Sequence, residues 1–337
     1  MIRTAVVGCG YWGPNLVRNF YEIPGSRLLI CCDQNAQKLE PMQLRYPTVK
    51  CTTDFDEVLN SEADAVAIAT PIRTHHELAS RALRAGKHVF VEKPLAFSYQ
   101  QCLELVEISE RQGKVLMVGH TFEYNPAVRK LKEIVDRGEV GAVRYVYSSR
   151  VNLGQVRADE NALWNLAPHD ISIFLYLLGS VPVRISARGR GYLNPAIEDV
   201  AFLYMEFPSG VIAHTHVSWL DPSKIRKMTV VGSEKMVIYD DMDSEGKLRI
   251  YDKGVVDLGQ VYGEFHVKLR AGDILIPKLD QREPLRIECE HFLECIRKGL
   301  RPQSDGLSGA RVVRILEAAQ ISMREGGREI ALDQVRQ

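Results

Sequence analysis

The glycine-rich segment after the first apolar run most constrains what this chain can fold into. Gly8, Gly10 and Gly13 have the spacing G-x-G-x-x-G, directly after the strand-like run TAVVG and before Pro14 at the expected start of a helix. Gly8 permits a tight turn, Gly10 lets the backbone approach a pyrophosphate, and Gly13 lets the helix pack closely on the strand. The segment therefore predicts a dinucleotide-binding strand–turn–helix unit, with a purely structural turn as the alternative.

A carboxylate at the end of the second apolar run supports the same interpretation. Asp33 closes RLLICCD, 20 residues after Gly13. At that place a carboxylate accepts hydrogen bonds from the adenosine ribose hydroxyls. Because an acid there repels a 2′-phosphate, we predict NAD rather than NADP as the cofactor.

The first third of the chain predicts a parallel sheet. Residues 1–122 contain six apolar runs that alternate with helix-period segments, and the runs are mostly continuous in hydrophobicity, as in strands covered on both faces. Thr74 with Glu77, and Ser98 with Gln101, form capping-box patterns at two predicted helix starts. We expect an α/β fold whose N-terminal domain is a Rossmann doubly wound parallel sheet.

The hydrophobic pattern changes in the remainder of the chain. Residues 123–337 contain several strand-like segments with alternating polarity, two of them joined by the turn residues 208–210. Helices are expected at about 284–298 and 307–325, packing back toward the N-terminal domain. The pattern predicts a C-terminal α+β domain with a large, mostly antiparallel open sheet that binds the substrate.

Composition limits the classes of partner. The charges of the 43 basic and 43 acidic residues cancel, so no net positive charge attracts nucleic acid or an anionic membrane surface. No apolar run approaches the roughly 18 residues that a membrane span requires. The seven cysteines are odd in number and scattered, which indicates a reducing compartment, and we predict a cytoplasmic protein. Self-association into a homodimer or homotetramer would cover the open sheet.

Two basic side chains are candidates for proton transfer. Lys93 ends the fifth apolar run, and ligands of open α/β sheets bind outside the carboxyl ends of the strands. His169 follows Pro168, which we expect at the first helical position, where the helix dipole would keep the imidazole neutral although adjacent Asp170 opposes it. The alternatives are a surface lysine paired with Glu92 and a structural histidine.

Other kinds of site lack a sequence pattern. The pair His75 and His76 and the pair His214 and His216 have no evident third ligand, so no metal site is expected. The chain contains no G-x-S-x-G or Walker-type motif, which disfavours hydrolase and kinase chemistry. Four cations could contact a diphosphate or be solvated surface charge: Arg150, Arg157, Lys224 and Arg226.

The order of these motifs resembles that of a known family. The segments GCGYWG, ATPIRTHHELA, AGKHVFVEKPLA and APHDIS are similar to those of the Gfo/Idh/MocA oxidoreductases. The resemblance implies an N-terminal domain that binds NAD or NADP and a C-terminal domain that holds a sugar or cyclitol. It assigns the catalytic lysine to Lys93 and the family's D-x-x-x-H pair to Asn165 and His169. Since an amide cannot take a proton, that task moves to Lys93 and His169.

The branch that the chain most resembles acts on nucleotide sugars of lipopolysaccharide and polysaccharide synthesis. It implies NAD-dependent oxidation at C3 of UDP-N-acetylglucosamine or a related UDP-sugar to a 3-keto sugar. The alternatives are a keto-sugar reductase, an inositol or other sugar dehydrogenase, and a catalytically silent NAD-binding sensor. Expected cofactor-binding residues are Gly8, Gly10, Tyr11, Trp12, Gly13, Asp33, Thr70, Pro71, His75, Glu92 and Lys93. Expected substrate-binding residues are Lys93, Asn152, Arg157, Asn165 and His169.

Overall fold

In a computed structural model, the chain forms two compact units. The structure describes residues 1–154, 156–157, 160–261 and 264–335, and for residues 256–268 it describes the backbone alone. Unit 1 comprises Met1–Tyr124 and Arg282–Arg314, whereas unit 2 comprises Asn125–Gln281 and the described residues from 315 onward. In the described part of the chain, no helix is both long and apolar enough to cross a membrane.

Unit 1 is built on a six-stranded parallel sheet of order β3-β2-β1-β4-β5-β6. Its strands are β1 Ile2–Val7, β2 Ser26–Cys32, β3 Lys50–Thr52, β4 Ala65–Ile68, β5 His88–Glu92 and β6 Leu116–Gly119. The strand order reverses between β1 and β4, as in a doubly wound sheet with its ligand crevice at that point. The predicted Rossmann fold is therefore confirmed.

Five helices connect these strands: α1 Gly13–Glu22, α2 Glu40–Arg45, α3 Phe55–Leu59, α4 Ile72–Arg84 and α5 Tyr99–Gln112. The Ser98 side chain caps α5 by accepting a hydrogen bond from the Gln101 amide, as the capping-box pattern predicts. The same prediction is wrong for Thr74, because α4 begins at Ile72 after Pro71. The Thr74 hydroxyl donates to the Pro71 carbonyl instead.

A later helix completes the core of unit 1. Helix α8, Pro284–Lys298, inserts Phe292 between Phe20 of α1 and Phe90 of β5, with ring centroids 6.3 and 5.8 Å apart. All three rings are fully buried, and edge-to-face packing adds about 0.5–1.5 kcal/mol per pair to their burial. The segment after α8 covers the free edge of β6, where the Val118 amide donates to the Ser304 carbonyl at 2.7 Å.

Unit 2 contains a nine-stranded sheet of order β14-β13-β12-β11-β7-β10-β9-β8-β15. The strands are β7 Val143–Val151, β8 Arg184–Arg190, β9 Val200–Glu206, β10 Ile212–Ser218, β11 Ile225–Gly232, β12 Met236–Asp240, β13 Leu248–Val261, β14 Glu264–Leu275 and β15 Ile330–Ala331. Neighbouring strands are antiparallel except β7 with β10, among the pairs that the described residues form. The predicted open, mostly antiparallel sheet is confirmed, including the β9–β10 hairpin.

Three helices accompany this sheet: α6 Pro126–Asp136, α7 Ala162–Leu178 and the second part of α9 Gly306–Arg324. The predicted start of α7 at Pro168 is wrong. The Asn161 side chain caps the helix by accepting from the Trp164 amide at 3.0 Å, and Pro168 lies inside it. His169 is consequently in the third turn, and the expected effect of the helix dipole on its imidazole does not apply.

Candidate active site

The glycine-rich turn of unit 1 fits a dinucleotide phosphate. A Cβ added to Gly8, whose φ is +94°, would lie 2.6 Å from the Ala69 carbonyl, and one added to Gly13 would lie 1.8 Å from the Gly8 carbonyl oxygen. Only glycine is compatible with either position. A Cβ on Gly10 would meet nothing nearer than Lys38 Nζ at 3.9 Å, so the backbone there is open to a close ligand. The N-terminus of α1 follows directly.

Asp33 follows β2 and holds the turn in place. Its Oδ2 accepts from the Cys9 amide at 2.8 Å and its Oδ1 from the Asn35 amide at 2.9 Å, in a nearly buried position. Each carboxylate oxygen retains lone-pair capacity for a ribose hydroxyl. Lys38 Nζ lies 3.8 Å from Oδ2 and partly offsets the negative charge. The geometry fits an adenosine ribose beside the carboxylate.

His75 connects two loops at the carboxyl edge of the sheet. Its Nε2 lies 2.8 Å from the Thr70 carbonyl after β4, and its Nδ1 lies 2.8 Å from the Pro94 carbonyl after β5. Burial lowers the pKa of this imidazole, which is completely enclosed. Since both ring nitrogens contact backbone carbonyls, His75 holds the loops at Thr70 and Pro94 in place, and its predicted contact with the cofactor stays a prediction.

Lys93 follows β5 directly and is joined to Pro94 by a cis peptide bond. Glu92 ends β5 beside it, and Trp12 of the glycine-rich turn acts to lower the pKa of the Glu92 carboxyl group. Burial raises the pKa of Glu92 to about 7, although the nearby Lys93 charge acts in the opposite direction. Tyr11 in the same turn is exposed. Glu92 and Lys93 thus lie at the carboxyl end of β5, where the crevice ligand of a doubly wound sheet is expected.

In unit 2 the candidate substrate residues cluster around the ends of two parallel strands. Asn152 follows β7 and Trp219 follows β10, and the pairing of Val151 with Ser218 places both at one edge of the sheet. The Trp219 indole donates to Asn165 Oδ1 at 3.4 Å. Asn165 and His169 are four residues apart on α7 and share a face of the helix. Lys93 belongs to unit 1, so its convergence with His169 stays a prediction.

A carboxylate that sequence reasoning missed lies beside Asn165. Glu160 Oε1 accepts from Asn165 Nδ2 at 2.6 Å and lies 3.2 Å from Arg157 Nε. These contacts fix the Asn165 amide, with its oxygen toward Trp219 and its nitrogen toward Glu160. Glu160 lies in an irregular loop with no periodicity, so its position five residues before Asn165 carried no recognisable signal.

Of the four cationic residues that could contact a diphosphate, the structure excludes Arg150. Arg150 is buried and forms a two-point ion pair with Asp170, with Nε–Oδ2 at 2.9 Å and Nη2–Oδ1 at 3.1 Å. It is therefore neither surface charge nor open to a ligand. Arg226 Nη1 lies 3.5 Å from Asp241, whereas Arg157 and Lys224 are exposed.

Unit 1 has a parallel sheet, a glycine-rich turn that fits a dinucleotide phosphate, and a carboxylate after β2. Together these features are typical of a dinucleotide-dependent oxidoreductase. Sequence comparison agrees: residues 2–120 match the family described as oxidoreductase family, NAD-binding Rossmann fold, and residues 128–238 match the GFO/IDH/MocA C-terminal domain. The chain belongs to the Gfo/Idh/MocA oxidoreductase family and uses NAD as its cofactor.

Two relatives and one solved structure resemble nearly the whole chain. UDP-N-acetylglucosamine 3-dehydrogenase of Acidithiobacillus ferrooxidans is 29% identical over 318 residues, which cover 93% of this chain and 94% of that protein. The NAD-dependent scyllo-inositol 2-dehydrogenase of Bacillus subtilis is also 29% identical, over 96% of this chain and 95% of its own. A solved structure of the A. ferrooxidans enzyme GnnA superimposes with a TM-score of 0.81 at 27% identity, covering 96% of this chain and 98% of that one.

Proposed function

We propose that this enzyme oxidises the C3 hydroxyl of a nucleotide sugar, UDP-N-acetylglucosamine or a related UDP-sugar, with NAD as hydride acceptor. The full-length similarity to UDP-N-acetylglucosamine 3-dehydrogenase carries the proposal. The 3-keto product would serve lipopolysaccharide or polysaccharide synthesis in the cytoplasm. When bound, NAD accepts the hydride; the side chains of this chain hold the sugar and move the proton.

Lys93 and His169 are the proposed catalytic residues. Lys93 lies at the carboxyl end of β5, where a crevice ligand of a doubly wound sheet is expected, and His169 lies on the Asn165 face of α7. The hydroxyl proton must move to a base within hydrogen-bond reach as the hydride leaves. Asn165 cannot act as that base, but its fixed amide can orient a sugar hydroxyl. Asn152 and Arg157 are proposed to contact the same ligand.

Replacement of either proposed catalytic residue tests this assignment. Lys93→Ala and His169→Ala should each reduce turnover by at least about 10²-fold, because each removes a proton-transfer group, while NAD still binds. NADH absorbance gives turnover, and a fluorescence titration gives NAD affinity. Lys114→Ala and His76→Ala, which alter residues of the same types elsewhere in unit 1, are the matched controls. Near-normal turnover in Lys93→Ala would exclude the assignment.

A cyclitol substrate is the second candidate, since similarity to the inositol dehydrogenase is equally high. The exposed Arg157 guanidinium could pair with a diphosphate in place of its 3.2 Å contact with Glu160, which would favour a nucleotide sugar. A panel of UDP-sugars and inositols, followed by NADH formation, separates the two. Arg157→Ala should raise the KM for a UDP-sugar and leave that for an inositol unchanged. NADH formation with inositols alone would reject the nucleotide-sugar proposal, and activity only with keto sugars and NADH would indicate the reductase.

A further inference from the structure

The Asn165 amide in unit 2 lies between two side chains of opposite hydrogen-bonding character. On one side, the Trp219 indole can only donate, and its Nε1 lies 3.4 Å from Asn165 Oδ1. On the other side, an ionised Glu160 carboxylate can only accept, and its Oε1 lies 2.6 Å from Asn165 Nδ2. These neighbours admit one orientation of the amide, because a flipped amide would set donor against donor and acceptor against acceptor.

The Glu160 side chain is enclosed although it carries a charge. It is 8% exposed, whereas the side chain of its ion-pair partner Arg157, whose Nε lies 3.2 Å away, is 44% exposed. Surface ion pairs contribute little to stability, and enclosing a carboxylate is costly unless it has hydrogen-bond partners. The contact with Arg157 alone therefore does not account for a carboxylate in this enclosed position, whereas a task at Asn165 does.

The two residues that follow Glu160 anchor this part of the chain to unit 2. Asn161 Nδ2 donates to Glu198 Oε2 at 2.7 Å and to Gln320 Oε1 at 2.8 Å. The Ala162 amide donates to the Glu198 carbonyl at 2.8 Å. The loop before β9 and helix α9 thus hold the start of α7, and with it the backbone that carries Glu160. A carboxylate placed in this way can act on Asn165 in a defined geometry.

We propose that Glu160 is a positioning residue of the sugar-oxidising site, and that its carboxylate is the reason why an amide stands at position 165. A carboxylate at position 165 would place two negative oxygens at the 2.6 Å of the present hydrogen bond, where they repel unless they share a proton. With an amide, Glu160 instead fixes the group that meets the sugar hydroxyl, one helical turn before His169. The inference rests on the proposed function, in which Asn165 orients the substrate.

Removal of the Glu160 carboxylate tests its effect on the substrate. Glu160→Ala should lower kcat/KM for the substrate that the panel of UDP-sugars and inositols identifies by about 10- to 100-fold, as expected for a lost hydrogen bond to a charged group. The Kd for NAD should not change. Glu160→Gln keeps an acceptor for Asn165 Nδ2 and should recover most of the lost activity. Glu206→Ala removes a carboxylate that pairs with Arg184 at the opposite end of β9 and is the matched control.

Exchange of the amide and the carboxylate tests the pairing without any substrate. Asn165→Asp should lower the urea midpoint of unfolding at neutral pH, because two carboxylates then face each other. The double variant Glu160→Gln/Asn165→Asp should return the midpoint toward that of the wild type. Its amide at position 160 can donate to the carboxylate at position 165, which still accepts from the Trp219 indole. Arg157, which contacts Glu160, is present in all three proteins.

Either of two results would overturn the inference. The first is an unchanged kcat/KM in Glu160→Ala, since a purely structural role would lower the urea midpoint and leave the folded enzyme active. The second is a double variant no more stable than Asn165→Asp. If Asn165→Asp does not fold, recovery of folding in the double variant gives the same decision. The urea measurements need no sugar, so they decide on the pairing even where the proposed substrate fails, and their failure leaves the substrate assignment standing.

Discussion

Asp33 has a structural task, and we propose that the same side chain also binds the cofactor. Its carboxylate accepts from the Cys9 and Asn35 amides and so fixes the turn that faces the phosphates. The same negative charge would accept ribose hydroxyls and repel a 2′-phosphate. Both tasks require an ionised acceptor at the end of β2, which explains why a carboxylate at this place was predictable from the sequence.

Replacing Asp33 should therefore change both affinity and selectivity for the cofactor. Loss of charged hydrogen bonds of about 1.5–3 kcal/mol predicts that Asp33→Ala raises the KM for NAD roughly tenfold or more. The preference for NAD over NADP should narrow, since repulsion of the 2′-phosphate disappears and Lys38 remains. Initial rates with both cofactors measure this. Asp54→Ala, an exposed carboxylate after β3, is the control, and unchanged selectivity in Asp33→Ala would show that this residue does not recognise the ribose.

Other residues of the site lay beyond sequence reasoning for a physical reason. The glycines and Asp33 are recognisable because local backbone geometry demands them within a short stretch of chain. Glu160 comes beside Asn165 only in the folded structure, and Glu288 is buried only when α8 packs against the segment after β6. One signal was present: on α8, Glu288 occupies the apolar stripe between Leu285 and Phe292, where a carboxylate requires a task or a partner.

At the scale of elements, the burial of side chains on helix α7 outweighs the helix-breaking tendency of proline. Proline inside a helix removes one hydrogen bond and costs about 3 kcal/mol or more, so a helix start at Pro168 was the simpler expectation. The first turns of α7 nevertheless bury Leu163, Trp164 and Ala167, and Asn161 provides a cap.

Most of the strands β13 and β14 could not be predicted from the sequence, because residues 253–275 mix charged, glycine and apolar residues without a clear alternation.

A buried ion pair between Asp170 of α7 and Arg150 of β7 joins the helix to the sheet. Both side chains are 4% exposed, so removing one leaves an uncompensated buried charge. Asp170→Asn should lower the free energy of unfolding by about 3–5 kcal/mol, measured by urea denaturation. The double variant Arg150→Met/Asp170→Leu should lose much less. A loss below about 1 kcal/mol in Asp170→Asn would show that the pair does not hold the helix.

At the scale of the whole molecule, one face of the nine-stranded sheet carries exposed rings. Alternation on β7, β9 and β10 turns one set of side chains toward α7 and the other set outward. The outward set, called the open face, comprises Tyr145, Tyr147, Phe202, Tyr204, Ile212, His214 and His216. Phe202 stacks on His216 with centroids 4.4 Å apart, and Tyr147 stacks on His214 at 5.5 Å. Aromatic residues concentrated in this way are typical of interfaces between protein chains.

The open face supports the prediction of a homodimer or homotetramer, because a second copy presents the same rings and a two-fold interface is self-complementary. Light scattering at micromolar concentration should give a mass of two or four chains. Phe202→Lys combined with Tyr147→Lys should shift the mass toward one chain, since the interface would then bury like charges from both copies. Tyr192→Lys, which changes an exposed ring on the loop after β8, should leave the mass unchanged. A wild-type mass of one chain would refute self-association, and a double variant that keeps the oligomer would assign the interface to another surface.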